Sequence, residues 1–137
     1  MPVPIQSRDD IQRLVYRFYD KVRQDPQLSF IFNDVAHIDW DTHLPHMVDF
    51  WENIVWGTGN YKGQPMGVHM LLTRKHPLTA EHFGRWKELF YETIDELFTG
   101  EIADELKMRA HAIAGVMEMK VKHVSLLSQT SQTTTTE

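Results

Sequence analysis

The stretch Gly57-Thr-Gly59-Asn-Tyr61-Lys-Gly63-Gln64-Pro65-Met-Gly-Val-His69 decides the fold of this chain. Glycines at alternate positions free the backbone to take positive φ or to approach another group closely. Pro65 then starts a short helix, because its missing N–H costs nothing in a first turn. One turn further on, His69 is held where its ring can point at a fixed target. Upstream lies an amphipathic segment carrying Phe50 and Trp51, and downstream come Trp86 and further aromatic residues. A fixed imidazole enclosed by aromatic helices is what a flat, apolar, iron-bearing cofactor needs.

Working outward, the chain reads as helix nearly throughout. Ile11, Leu14, Val15, Phe18, Tyr19 and Val22 form one stripe of an amphipathic helix. Ser7 is placed to cap it, with Asp10 three positions on, and Asp25-Pro26 ends it. Residues 28–32 read as a short turn of helix or 3₁₀ helix. A second helix is expected to begin near Thr42, because Pro45 disfavours helical backbone at Leu44. It carries His43, Met47, Phe50, Trp51 and Ile54 on one face and ends before Gly57. After the short His69 helix, Thr79 caps a long helix whose buried face is Phe83, Trp86, Phe90, Ile94 and Leu97, with Gly100 beyond its end. The last helix buries Ile102, Leu106, Ala110, Ile113, Met117, Val121 and Val124. The polar, low-complexity segment from Ser128 to Glu137 is expected to be a disordered tail, leaving residues 1–127 as the folded domain.

Composition sets the limits on function. The chain has 137 residues, enough for one domain that encloses a small cofactor. Hydrophobic residues make up 42% and charged residues 24%, the balance of an ordered globule with a soluble surface. The net charge of −5 argues against non-specific binding to nucleic acid or to an anionic membrane. With no cysteine, disulfides, zinc–thiolate sites and thiolate-held haem are excluded. The strong ligands left are eight histidines and the carboxylates. No signal pattern and no apolar run of about 18 residues is visible, so a cytoplasmic protein is expected.

The helices permit a four-helix bundle or a compact globin. A bundle has short, plain connections between long helices. Here a glycine-rich segment leads instead to a helix of barely two turns, which favours the globin. Phe18-Tyr19, His43 followed by Phe50-Trp51, the Gly57–Pro65 segment leading to His69, and Phe83-x-x-Trp86 together resemble a group III truncated haemoglobin. The resemblance spans residues 8–123. Glycine pairs at the interhelical corners, usual in the other truncated groups, are missing. It implies an all-α fold, a two-over-two helical sandwich around one b-type haem. His69 would be the iron ligand, with Tyr19, His43 and Trp86 on the opposite, gas-binding side. His46, Phe50, Trp51, Tyr61, Met66, Leu72 and Phe83 would line the cofactor.

Each assignment has a plainer rival. His69 could be a hydrogen-bonded core histidine, and Tyr19 and Trp86 ordinary packing residues. The remaining charges, Arg8-Asp9-Asp10 and those from Glu101 to Arg109 among them, read as solvent faces with i,i+4 support. The implied function is binding of O₂, NO or CO at a polar pocket that holds oxygen too tightly for delivery, hence sensing or redox chemistry. The enzymatic alternative is a nitric oxide dioxygenase or peroxidase-like protein using an external reductase, since no flavin or nicotinamide motif is present. A cofactor-free helical interaction domain is the third reading.

Overall fold

In the computed structural model the described residues are 1–35, 39–59 and 78–135, with side chains described for all of these except 33–35 and 124–135. Among them are four α-helices: α1 (Arg8–Gln24), α2 (Trp40–Trp56), α3 (Ala80–Leu97) and α4 (Glu101–Thr135), with one turn of π-helix at Phe30–Val35 between α1 and α2. Helix α1 packs on α2 and on α3, and α3 packs on α4, so one helical pair lies over the other.

The stripe expected on α1 is buried at all six positions, Ile11 through Val22. Its N-terminus is held differently from the expectation. Ser7 occupies the cap without a side-chain bond, and the Asp10 carboxylate instead reaches back to accept from the Gln6 N–H at 2.8 Å. Arg8 does not simply face solvent. It crosses to α2, where its Nη1 lies 2.8 Å from both Asp49 Oδ1 and Glu52 Oε1. Bonding to Asp49 first, then to Glu52, holds the Arg8 pKa above its usual value. That contact accounts for a glutamate buried in the α2 face.

Helix α2 begins at Trp40, two residues before the expected start. Asp39 makes the earlier start possible. Its carbonyl accepts from the Thr42 and His43 N–H groups at 3.1 and 2.8 Å, and its carboxylate accepts from the Thr42 hydroxyl at 2.9 Å. Pro45 therefore sits inside the helix, where it removes one bond near the end of the element and leaves the rest intact. The buried face turns slightly toward Val48, Trp51 and Glu52, with Met47, Phe50 and Ile54 half-buried beside it. At the far end Gly57 closes α2 in the left-handed region at φ 63°, donating to the Asn53 carbonyl at 2.7 Å. Gly59 follows at φ 74°, and its N–H donates to the Asn53 side chain at 2.7 Å. The first two glycines of the deciding stretch thus do what only glycine does cheaply.

Thr79 caps α3 as expected. The partner in its reciprocal box is His82, whose Nδ1 accepts from the Thr79 N–H at 3.0 Å. Phe83, Phe90 and Ile94 are buried as expected, joined by Leu89 and Thr93. The Thr93 hydroxyl is satisfied by the Leu89 carbonyl at 2.6 Å. The N-terminal segment crosses the α3–α4 corner, Val3 bonding to Leu97 and Thr99 at 3.2 and 3.0 Å. Helix α4 buries Leu106, Ala110 and Val121, and a Lys107–Asp95 pair ties it to α3. Its helical backbone continues to Thr135, past Ser128 where the sequence reading placed an unstructured tail.

Candidate functional site

Two sets of rings meet in the middle of the fold. Phe18, Trp51, Trp86 and Phe90 make the first. Trp86 stacks on Phe90 at 5.5 Å and 3°, and Trp51 stacks on Phe90 at 4.8 Å. Phe18 stands edge-on to Phe90 and Trp86 at 5.1 and 5.5 Å. Phe18 and Phe90 are fully buried, each contributing about 1.5–3 kcal/mol through removal of apolar surface from water.

The second set carries polar atoms. Tyr19, the next residue on α1, turns about 100° from Phe18. It meets Trp40 at 5.5 Å, His43 at 5.3 Å and Phe32 at 6.3 Å. Trp40 and His43 are edge-on at 5.7 Å, and the His43 Nε2 is shielded from solvent. Pro45 has not turned His43 away from Tyr19. His46, one helical turn on, is exposed, so the two histidines share no pocket.

Trp86 also touches a smaller apolar cluster, in which Phe83 packs with Ala114 and Val121. It therefore joins the main core to the face of α4. Phe50 stands edge-on to Trp51 at 5.1 Å. Tyr61, Met66, His69 and Leu72 lie outside the described residues. Of the expected site, then, the fold brings Tyr19 and His43 together, sets Phe18 against both Tyr19 and Trp86, and leaves His46 at the surface.

Sequence reasoning missed two features. Trp40 and Phe32 complete the wall around Tyr19; Trp40 stands three positions before His43, a spacing that places both on one helical face once the helix is known to start at Trp40. The other is a brace behind the wall. The Asp25 side chain is 1% exposed and accepts from Arg85 Nε at 2.7 Å. Its second oxygen accepts from the N–H groups of Gln27 and Leu28 at 3.0 and 3.1 Å. The hydrogen bond of Arg85 to Asp25, then that to Glu88, holds the Arg85 pKa above its usual value. One carboxylate thereby fixes the turn leading to Phe32 and anchors α3 beside Trp86.

The family profile for bacterial-like globins matches residues 5–122. The chain belongs to the bacterial-like globin family. Within this globin family it is similar to the group 3 truncated haemoglobin of Campylobacter jejuni, 32% identical over 111 residues covering 79% of this chain and 85% of the relative. It is also similar to the group 1 truncated haemoglobin of Synechocystis, 30% identical over 102 residues covering 74% of this chain and 77% of that one. The crystal structure of the group III truncated haemoglobin from Campylobacter jejuni superposes with a TM-score of 0.76 at 30% identity, over 88% of this chain and 95% of that one. The resemblance drawn from the motifs and the truncated-globin fold are both borne out, and haem is the cofactor of this globin. The described residues suit it: broad apolar planes from Trp51, Phe83 and Trp86, and polar atoms of Tyr19 and His43 set in an aromatic wall. No helix among the described residues is long and apolar enough to cross a membrane.

Proposed function

We propose that this globin binds O₂, NO or CO at a haem whose iron is held by His69, and that it serves sensing or redox chemistry rather than oxygen transport. Bound haem supplies the iron at which a gas molecule coordinates. Tyr19 would donate a hydrogen bond from its hydroxyl to the bound gas, and Trp86 one from its indole N–H, which is a donor only. Trp40 and Phe32 fix the Tyr19 ring and exclude water from it. The observation that carries the reading is the meeting of Tyr19 and His43, rings 5.3 Å apart, inside an otherwise apolar wall. Several donors on one small ligand favour retention, which suits chemistry better than delivery. The redox form of this function is nitric oxide dioxygenation or peroxide chemistry, with electrons from an external reductase.

Absorption spectra of the ferric, ferrous and CO-bound protein test the reading. His69→Gly is expected to lose haem or hold it weakly, and added imidazole to restore part of the spectrum. Retention of a histidine-ligated spectrum at full occupancy in that variant would overturn the His69 assignment. Nitrate formation from NO and O₂ with a reductant separates dioxygenation from sensing.

A further inference from the structure

Helix α4 has a second apolar stripe, on the side away from the core. Met108 is 72% exposed, Val116 43% and Met119 73%, and Ala112 and Gly115 between them are exposed as well. The spacing i, i+4, i+7, i+8, i+11 puts all five on one face. A methyl group added at Gly115 would meet nothing within 4 Å, so nothing in the described chain requires glycine there, although glycine weakens a helix interior.

The two ends of this face differ in sign, while between them Glu105 pairs with Arg109 and Glu118 with Lys122 within the helix. Exposed Glu101 and Asp104 lie at its N-terminal end, and exposed Lys122 and His123 at its C-terminal end. Laid beside a parallel copy, acid would face acid and base would face base. Laid antiparallel about a twofold axis between residues 113 and 114, the same face complements itself. Met108 then sits level with Met119 of the second copy, Ala112 with Gly115, and Asp104 with Lys122 to within one residue. Asp104 and Lys122 also lie on the same edge of the stripe, so their contact in the pair is lateral as well as level. The small residues fall at the axis, where two backbones approach most closely.

We propose that the occupant of this face is a second copy of the chain, forming an antiparallel α4–α4 dimer. From Asp104 to His123 the face runs about 28 Å. One helix pair of that length falls toward the low end of specific interfaces, below about 1,200 Å² in total, so the dimer is a weak and reversible one. The proposal is independent of haem chemistry, and either can fail without the other.

Sedimentation of the full chain from micromolar to near-millimolar concentration should show the mass doubling. Met119→Glu should raise the dimer dissociation constant at least tenfold. Asp104→Lys and Lys122→Asp should each weaken the dimer, and the double exchange should restore it. Since the chain has no cysteine, single-cysteine variants report the register. Two Met108→Cys copies would lie about 16 Å apart along the helices, beyond the roughly 7 Å Cα separation a disulfide spans. Mixed Met108→Cys and Met119→Cys chains should therefore cross-link where neither does alone. A monomer at every concentration overturns the dimer; cross-linking of Met108→Cys with itself overturns the antiparallel arrangement. All of these positions are exposed, and an unchanged helical circular dichroism spectrum confirms that each variant is folded.

Discussion

The two ring sets of this globin are neighbours built by opposite means. Phe18, Trp51, Trp86 and Phe90 come from helix interiors, each on the buried or half-buried face of its element. The wall around Tyr19 is drawn from element ends: Phe32 from a single π-turn and Trp40 from the first position of α2. Phe18 and Tyr19 are adjacent in sequence, with rings 4.8 Å apart, yet each serves a different set. Mid-helix residues are over-determined by their own helix and by the packed neighbour, and suit stability. Residues at element ends depend on caps and braces, which allows polar atoms to be aimed but makes their placement the more fragile. Substitutions in the first set should cost stability first, and substitutions in the second should cost ligand selectivity first.

The largest effect is expected from Phe90→Ala. Phe90 contacts Phe18, Trp51 and Trp86 together, and truncation of a buried phenylalanine costs about 3–5 kcal/mol. Denaturant unfolding of the haem-loaded protein measures it. A loss below about 1 kcal/mol would mean that the stack can close around the gap and that the stated division of labour is wrong.

Asp25→Ala comes next, at about 2–3 kcal/mol, because it removes the acceptor of two backbone N–H groups and of a guanidinium at once. Arg85 is partly exposed and can regain water, which keeps the cost below that of breaking a fully buried pair. The same variant should disturb the wall, since the turn it frees leads to Phe32. Gas-binding rates that stay unchanged while stability falls would show that the brace supports the core alone.

Tyr19→Phe should speed O₂ dissociation. A hydrogen bond to a partly charged acceptor contributes about 1.5–3 kcal/mol, or roughly ten- to a hundredfold in rate. CO dissociation should change far less, a contrast that separates hydrogen bonding from simple opening of the pocket. Trp86 is a candidate second donor to the same ligand, so a Tyr19/Trp86 double-mutant cycle is the proper measure of coupling. Unchanged O₂ dissociation would move the donor role to Trp86 or His43.

The same contrast explains what was legible in the sequence. The stripe of α1 and the Phe83, Phe90 and Ile94 face of α3 follow helical periodicity and are buried as read. Periodicity needs only regular helix and one apolar side, and both hold in these segments. The wall was legible in part. Tyr19 and His43 stand out through resemblance, but nothing local announces Phe32 or Trp40 as their neighbours. Those contacts bridge a π-turn and a helix start that depends on Asp39, against the local signal of Pro45. In the sequence Asp25 reads only as the end of α1, because its partner lies 60 positions away. Long-range polar pairs leave no period in a sequence. The placement of His69 rests on the turn chemistry around Pro65, of which the described residues contain the opening glycines.

The smallest effect tests whether polar contacts between α1 and α3 matter away from the buried brace. Glu96 on α3 accepts from Lys21 at 2.7 Å and from Arg17 at 3.3 Å. The Lys21 hydrogen bond, above all, holds the Glu96 carboxyl below its usual range. A carboxyl whose pKa is lower in the folded than in the unfolded chain binds fewer protons when folded. Its stabilising contribution is therefore present above the ordinary carboxylate range and fades as pH falls through the lowered folded value. The Glu96 side chain is 41% exposed, so water and salt screen most of the attraction, and Glu96→Gln should cost less than about 1 kcal/mol at neutral pH. That cost should shrink on acidification below pH 4 or so, and also in high salt at neutral pH. A cost that persists in both conditions would show that Glu96 acts through packing rather than charge, and would place this exposed contact with the mid-helix stack that joins the same two helices.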